Sequence, residues 1–344
     1  MSSPIADLSY RSYDGPLNPP SARWWVIAKM LTLKAFRNRF YWLFVALSGW
    51  YYLVILTVIF IMQMVGSTAS QTLQDNGGSG AARAAIAQQT QFIDRYLWKH
   101  QFLHGFSFGQ LTFLIIALLV GAGAVANDNR ANALLVYLSK PCTKLDYVVG
   151  KFFGVWIPIM TAMVVPSFFF FLYGMMSYRS HGFAMYASAF PLLVCAMAMA
   201  ATLHTSILLG IGSMLKQGRI AGILYGTLYM LTNIFTVMIW TFWLAPLGEA
   251  REAAHDAGQS MASVVVNRPP MLQTAFYSSI DGLNIGLAKA MLGVDGGNQF
   301  GMPTDPQAMI PAPNGYLTFG VMLAISAFWM LIFWRRVRAV EVVG

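Results

Sequence analysis

Long apolar stretches alternate with short polar, basic ones along most of the chain. Six runs are long enough to cross about 30 Å of hydrocarbon as helices: residues 42–65, 104–126, 151–174, 187–213, 220–244 and 315–334. None carries an acidic or basic residue near its centre. The segment 245–313 breaks this pattern with Glu249, Arg251, Glu252, Asp256, Arg268, Asp281, Lys289, Asp295 and Asp305, and each such charge costs about 2.5–3.5 kcal/mol at a helix centre. A seventh span is not expected there. The reading is a large loop in which 270–292 forms one or two helices lying against the membrane and the Pro-rich stretch 303–313 returns the chain.

The polar connection 127–151 has the clearest local pattern. Asn127 and Asp128 are good N-cap residues, and Ala131, Leu134, Leu135 and Leu138 follow at helical spacing until Pro141 stops the run. Thr143, three residues before Asp146, then opens a second helix as a capping box, and that helix continues past Lys151 into the third apolar run. The expectation is two helices forming an elbow at the membrane surface.

Residues 1–22, rich in Ser, Pro and Gly, read as a flexible tail. Over 23–41, Trp24, Ala28, Leu31 and Ala35 share one stripe, while Arg23, Lys34, Arg37 and Asn38 cluster elsewhere. An amphipathic interfacial helix is expected, anchored by Trp24, Trp25, Lys34 and Arg37. The loop 66–103 holds a turn at Gly77-Gly-Ser-Gly80. Pro158 and Pro166 should bend the third span where neighbouring helices can satisfy the freed carbonyls. Gly218, Gly222 and Gly226, four residues apart, form a helix-packing face, assigned mainly to contacts within the chain.

Composition agrees with the pattern. Charged residues make up 10% of the 344 and mean hydropathy is +0.57, whereas a soluble domain carries roughly 25% charged residues. The fold class is therefore an all-α polytopic membrane protein with six transmembrane helices. Its six-span domain covers 42–334 and a short tail covers 335–344. Fifteen of the 22 Lys and Arg lie in the segment before the first run, in the elbow, at Lys216 and Arg219, and at Arg335, Arg336 and Arg338. The positive-inside rule places those segments, and both termini, in the cytoplasm, with loops 66–103, 175–186 and 245–313 outside. The cations flank membrane segments and lack a base-reading pattern, so nucleic acid is not an expected partner; membrane lipids are.

Energy-converting chemistry is missing from the sequence. There is no GxxxxGK[ST], HExxH, GxSxG or CxxC, so neither an enzyme nor a cofactor-binding or metal site is expected. His100 and His104 have no third ligand nearby, and His204 reads as a hydrogen-bonded packing residue. Charged groups paired inside spans, the usual mark of ion-coupled transport, are absent. Cys142 and Cys195 are too far apart in this topology to pair.

The elbow resembles the connection between the second and third spans of ABC-2 type transporter permeases. There an acidic residue precedes a Leu-rich helix, a Ser-x-Pro-[Ser/Thr]-[Arg/Lys] turn and a Gly-Lys pair. Here these are Asp128, Leu134 and Leu135, Ser139-Lys-Pro141-Cys-Thr143-Lys144, and Gly150-Lys151. Asp stands where Glu is commoner, Asn132-Ala133 where Gly-Thr is usual, and Cys142 is inserted. The resemblance implies a coupling helix that docks on a separate ATP-binding subunit carrying ATP and Mg. Asp128, Arg130, Leu134, Leu135, Leu138, Ser139, Pro141, Thr143, Lys144, Gly150 and Lys151 would form that coupling site, with Asp128, Arg130, Lys140 and Lys144 at its rim. It further implies a second permease chain, identical or different, and a bacterial inner membrane. The expected function is ATP-driven export or membrane rearrangement of a substrate that the sequence does not identify. The competing reading is a non-transporting scaffold subunit that binds an envelope protein through 245–313.

Overall fold

The computed structural model describes residues 22–75, 80, 98–133, 142–177, 187–257, 270–294 and 311–337. These residues are about 89% helical and contain no strand. The tail 1–21, the turn at 77–79 and residues 134–141 and 338–344 lie outside the described residues.

Helix α1 (Arg23–Phe36) leads into α2 (Arg39–Ser48) through Asn38, whose Oδ1 accepts the Phe40 N–H at 3.0 Å and so caps α2. After Gly49 comes α3 (Trp50–Asp75). The apolar run 42–65 is thus divided, and the stretch able to span is Trp50–Thr68. Gly49 sits so near the third span that a Cβ there would lie 3.0 Å from Pro166 Cβ. The second span follows α4 (Trp98–Phe108) as α5 (Gln110–Gly121), extended by α6 (Ala126–Arg130). It covers Gln110–Arg130, where the pattern placed 104–126. The remaining spans are α7 (Lys144–Ser177), α8 (Ala189–Met214), the first part of α9 (Gly218–Asp256) and α11 (Gly315–Arg336).

Helix α8 is the hub, packed against α7, α9 and α11. Two-thirds of its apolar window (67%) is buried in protein, against 12% for α3 and 17% for α9. Its fully buried Ala196, Ala200 and Ala201 explain the difference, because small residues let neighbouring backbones approach closely. The outer helices instead present Leu, Ile, Met and Phe outward, as a surface solvated by acyl chains requires.

Helix α7 passes through Pro158 and Pro166 unbroken. Pro166 removes the N–H that would bond to Ala162 O. The Ser48 hydroxyl lies 3.2 Å from that carbonyl and 2.7 Å from Val45 O, and its single proton serves both. Tyr41 donates to Pro158 O at 2.9 Å. Helix α2 therefore supplies a donor to the carbonyl that Pro166 frees, and Tyr41 adds a second polar tie to the third span beside Pro158.

The segment 270–292 departs from expectation in its place. It does form helices, a 3-10 turn (Pro270–Ser278) and α10 (Ile280–Leu292), but α10 is packed inside the bundle rather than laid along its outside. Helix α10 packs against α4, α8, α9 and α11, and Asp281 and Lys289 are 7% and 0% exposed. These charges are tolerated because protein, not lipid, surrounds them. Tyr229 donates to Asp281 Oδ1, and Lys289 Nζ lies 5.2 Å from the Phe276 ring centroid. Beside them, Asn284 Nδ2 donates to Gln110 Oε1 at 3.0 Å and faces His204 Nε2 at 3.4 Å. An amide nitrogen only donates, so Nε2 accepts and Nδ1 carries the proton toward Tyr225 Oη, 2.6 Å away. His204 is thus a hydrogen-bonded packing residue that ties α8 to α9 and α10.

Candidate functional site

The site is built where α6, α7, α8 and α11 meet at one end of the bundle. Helix α7 begins with the expected capping box. Thr143 N donates to Asp146 Oδ2 at 3.0 Å, and Asp146 N donates to Thr143 Oγ1 at 3.1 Å. Four residues apart on the next turns, Tyr147 and Lys151 point together toward α6.

Asp128 meets them. Its Oδ2 lies 2.6 Å from Lys151 Nζ and accepts the Tyr147 hydroxyl at 2.9 Å. Lys151 also donates to Ala124 O at 2.7 Å, and its Nζ stands 5.4 Å from the Tyr147 ring centroid. The side chains are 4% and 18% exposed for Lys151 and Asp128. A buried ammonium is acceptable only when its charge and protons are satisfied, and here a carboxylate, a carbonyl and a ring face do so. The pair clamps the end of the second span to the start of the third.

The neighbouring residues fasten the same joint to other helices. Asn129 Nδ2 lies within 3.1–3.4 Å of the Gly212, Ser213 and Leu215 carbonyls at the end of α8, where a helix runs out of backbone donors. Lys144 Nζ is 4.5 Å from the Trp334 ring centroid near the end of α11. Gly218 abuts the second span so closely that a Cβ would lie 2.8 Å from Gly123 Cα, and one at Gly222 would lie 3.3 Å from Ala122 Cβ. Gly226 makes only ordinary contact, with Leu118 at 3.9 Å.

Asn127 and Asp128 do not cap a new helix, contrary to expectation; both lie inside α6. The chain breaks later, at Asn132, whose φ of 50° is the left-handed conformation. Glycine adopts this conformation at little cost and Asn is the next most tolerant residue. The departure Asn132 for Gly is therefore a conformational equivalent. Leu134, Leu135, Leu138, Ser139, Lys140 and Pro141 lie outside the described residues. Arg130 and Thr143 are exposed, Lys144 is half-buried, and Asp128 faces Lys151 and Tyr147.

Gly150 has a packing role. A Cβ there would lie 2.7 Å from both Trp24 O and Ile27 Cβ, and one on Gly154 would lie 2.8 Å from Leu31 Cβ. These two glycines form the groove that receives α1. Ile27, Ala28 and Ala35 are buried on that face, with Leu31 half-buried. Trp24 turns to α7, its ring centroid 5.4 Å from that of Phe153, while Trp25 remains 44% exposed. Lys34 and Arg37 are exposed.

The sequence pattern pointed to Asp128 and Lys151 but not to their pairing, and it missed Tyr147, Asn129 and the Ala124 carbonyl. Only the i, i+4 spacing of Tyr147 and Lys151 was available as a signal. No curated protein matches the chain. The family model for the ABC-2 family transporter protein matches residues 25–286, from Trp25 to the middle of α10. Since that match spans most of the chain, from α1 through five of the six spans, the chain belongs to the ABC-2 transporter family as an integral membrane permease.

Proposed function

We propose that this chain is the permease subunit of an ABC transporter, coupling ATP hydrolysis on a separate subunit to export or membrane rearrangement of a substrate. ABC-2 permeases normally work with an ATP-binding subunit, and the sequence offers no phosphate loop of its own. The observation that carries the reading is the Asp128–Lys151 clamp with its Tyr147 support. It joins the two ends of the 131–143 connection to one rigid base, so a partner gripping the Leu134, Leu135 and Leu138 face would move the second and third spans together. Ser139, Pro141 and Thr143 would set the angle of that elbow, with Arg130 and Lys144 at its rim. In this reading the basic end of the bundle is cytoplasmic, the membrane is a bacterial inner membrane, and two permease chains form the transporter.

A neighbouring gene should encode the ATP-binding subunit, and the test is co-purification of the two proteins followed by ATPase assays in lipid nanodiscs. Leu134→Glu with Leu135→Glu should abolish the complex without unfolding the permease; a complex that survives with full activity would refute the assignment. The scaffold reading draws less support, because α10 and Phe276 of the 3-10 turn, both within 245–313, are buried in this chain's own bundle.

A further inference from the structure

We infer that the cavity between α1, the second span and α7 binds the headgroup of an anionic phospholipid. The cavity measures about 460 Å³ and opens beside the Asp128–Lys151 pair, a size within the usual range of small-molecule sites. Its walls are divided. Leu31, Ala35, Leu119 and Val120 form an apolar side, while Lys34, Arg37, Asn38 and Asn127 form a polar one.

The charge balance selects the ligand. Lys34, Arg37 and Lys151 line the cavity with a single carboxylate, Asp128, and that carboxylate is engaged by Lys151 and Tyr147. Among the described residues no carboxylate pairs with Lys34 or Arg37, and both are exposed at the mouth. Two uncompensated cations at the end of the membrane-spanning helices, beside an apolar wall, match a phosphate with acyl chains attached. A soluble phosphate would use the cations and leave the apolar wall unused. Basic pockets between membrane helices recognise anionic headgroups in this way. The site lies against the clamp, so lipid bound there would press on Lys151 and Asp128. This inference does not require an ATP-binding partner.

The test uses the purified full chain in detergent, with native mass spectrometry measuring phosphatidylglycerol and phosphatidylcholine of matched acyl chains. Phosphatidylglycerol should be retained preferentially. Lys34→Gln with Arg37→Gln should weaken that retention roughly thirtyfold, as expected for losing two cations at a membrane surface, and leave phosphatidylcholine unchanged. The charge-matched pair Lys29→Gln with Arg39→Gln, outside the cavity, should leave most of that retention in place. Equal losses in both pairs would overturn the site in favour of general surface attraction. Leu119→Trp fills the cavity without altering charge and should also release the lipid; retention in that variant would overturn the placement. Displacement of phosphatidylglycerol by excess inorganic phosphate would reassign the cavity to soluble phosphate and overturn the lipid.

Discussion

Lys151 Nζ and Asp128 Oδ2, 23 positions apart in the chain, sit 2.6 Å apart where the second and third spans meet. Removing one partner from a buried pair leaves the other charge stranded, at a cost of about 3 kcal/mol or more. Lys151→Met and Asp128→Asn should therefore each lower the melting temperature in detergent clearly, with Asp128→Asn leaving the less exposed side, the Lys151 ammonium, uncompensated. The double variant should lose less than the two single losses combined. Additive losses in that cycle would show that the pair does not act as a clamp.

Gly150 and Gly226 make a matched comparison. Gly150→Ala forces its new carbon against the Trp24 carbonyl at 2.7 Å and should cost about 1–3 kcal/mol as overpacking. Gly226→Ala meets nothing nearer than 3.9 Å and should be neutral or stabilising by up to about 1 kcal/mol, the usual helix penalty of glycine. Thermal melts supply the ranking, and protease sensitivity within α1 should rise in the first variant alone.

Asn132 allows a test of the elbow's backbone. Asn132→Gly should change stability by less than about 0.5 kcal/mol, because the φ of 50° suits glycine. Asn132→Val should cost about 1–3 kcal/mol, since a β-branched side chain resists that conformation. If coupling depends on the elbow's shape, ATPase activity in the reconstituted complex should follow the same order, with Val the lowest.

Asp281 gives a pH dependence. It lies in α10, outside the six candidate spans, and burial pushes its carboxyl up to about 7 from an ordinary 3.8. A raised acid favours the folded state while protonated. Its contribution is thus complete below about pH 4 and declines as pH rises toward 7, on the order of 1.4 kcal/mol per pH unit in that window. Stability should fall between pH 5 and 7 and then level off. Asp281→Asn, which keeps an acceptor for Tyr229, should flatten that slope; an unchanged slope would assign the titration elsewhere.

The parts of the molecule legible in advance were those determined by short-range chemistry. The Thr143–Asp146 capping box formed as expected because both groups lie within one helical turn. The α1 stripe of Trp24, Ala28, Leu31 and Ala35 was legible as one face, but the sequence assigned that face to the membrane interface, whereas it packs on α7. Helix α10 was expected against the membrane because its charges were set against lipid alone, whereas Tyr229, 52 positions from Asp281, and Phe276 of the adjoining 3-10 turn supply the surroundings. The cap expected at Asn127 and Asp128 failed for the same reason. Lys151 and Tyr147 hold the Asp128 carboxylate, and Asn129 is drawn to the end of α8.

By itself the sequence determined that six helices are long and apolar enough to cross a membrane, and that their basic connections gather at one end. An apolar run of twenty residues has only one favourable solvent, and its backbone can be satisfied there only as a helix. Tertiary structure decided which polar groups inside that frame face one another: Asp128 with Lys151, Ser48 with Ala162, and Asp281 with Tyr229. Such pairings join segments tens of residues apart, and no periodicity along the chain encodes them. They depend on which helix crosses which, and small residues such as Gly150, Gly154 and Gly218 permit those crossings by letting backbones touch.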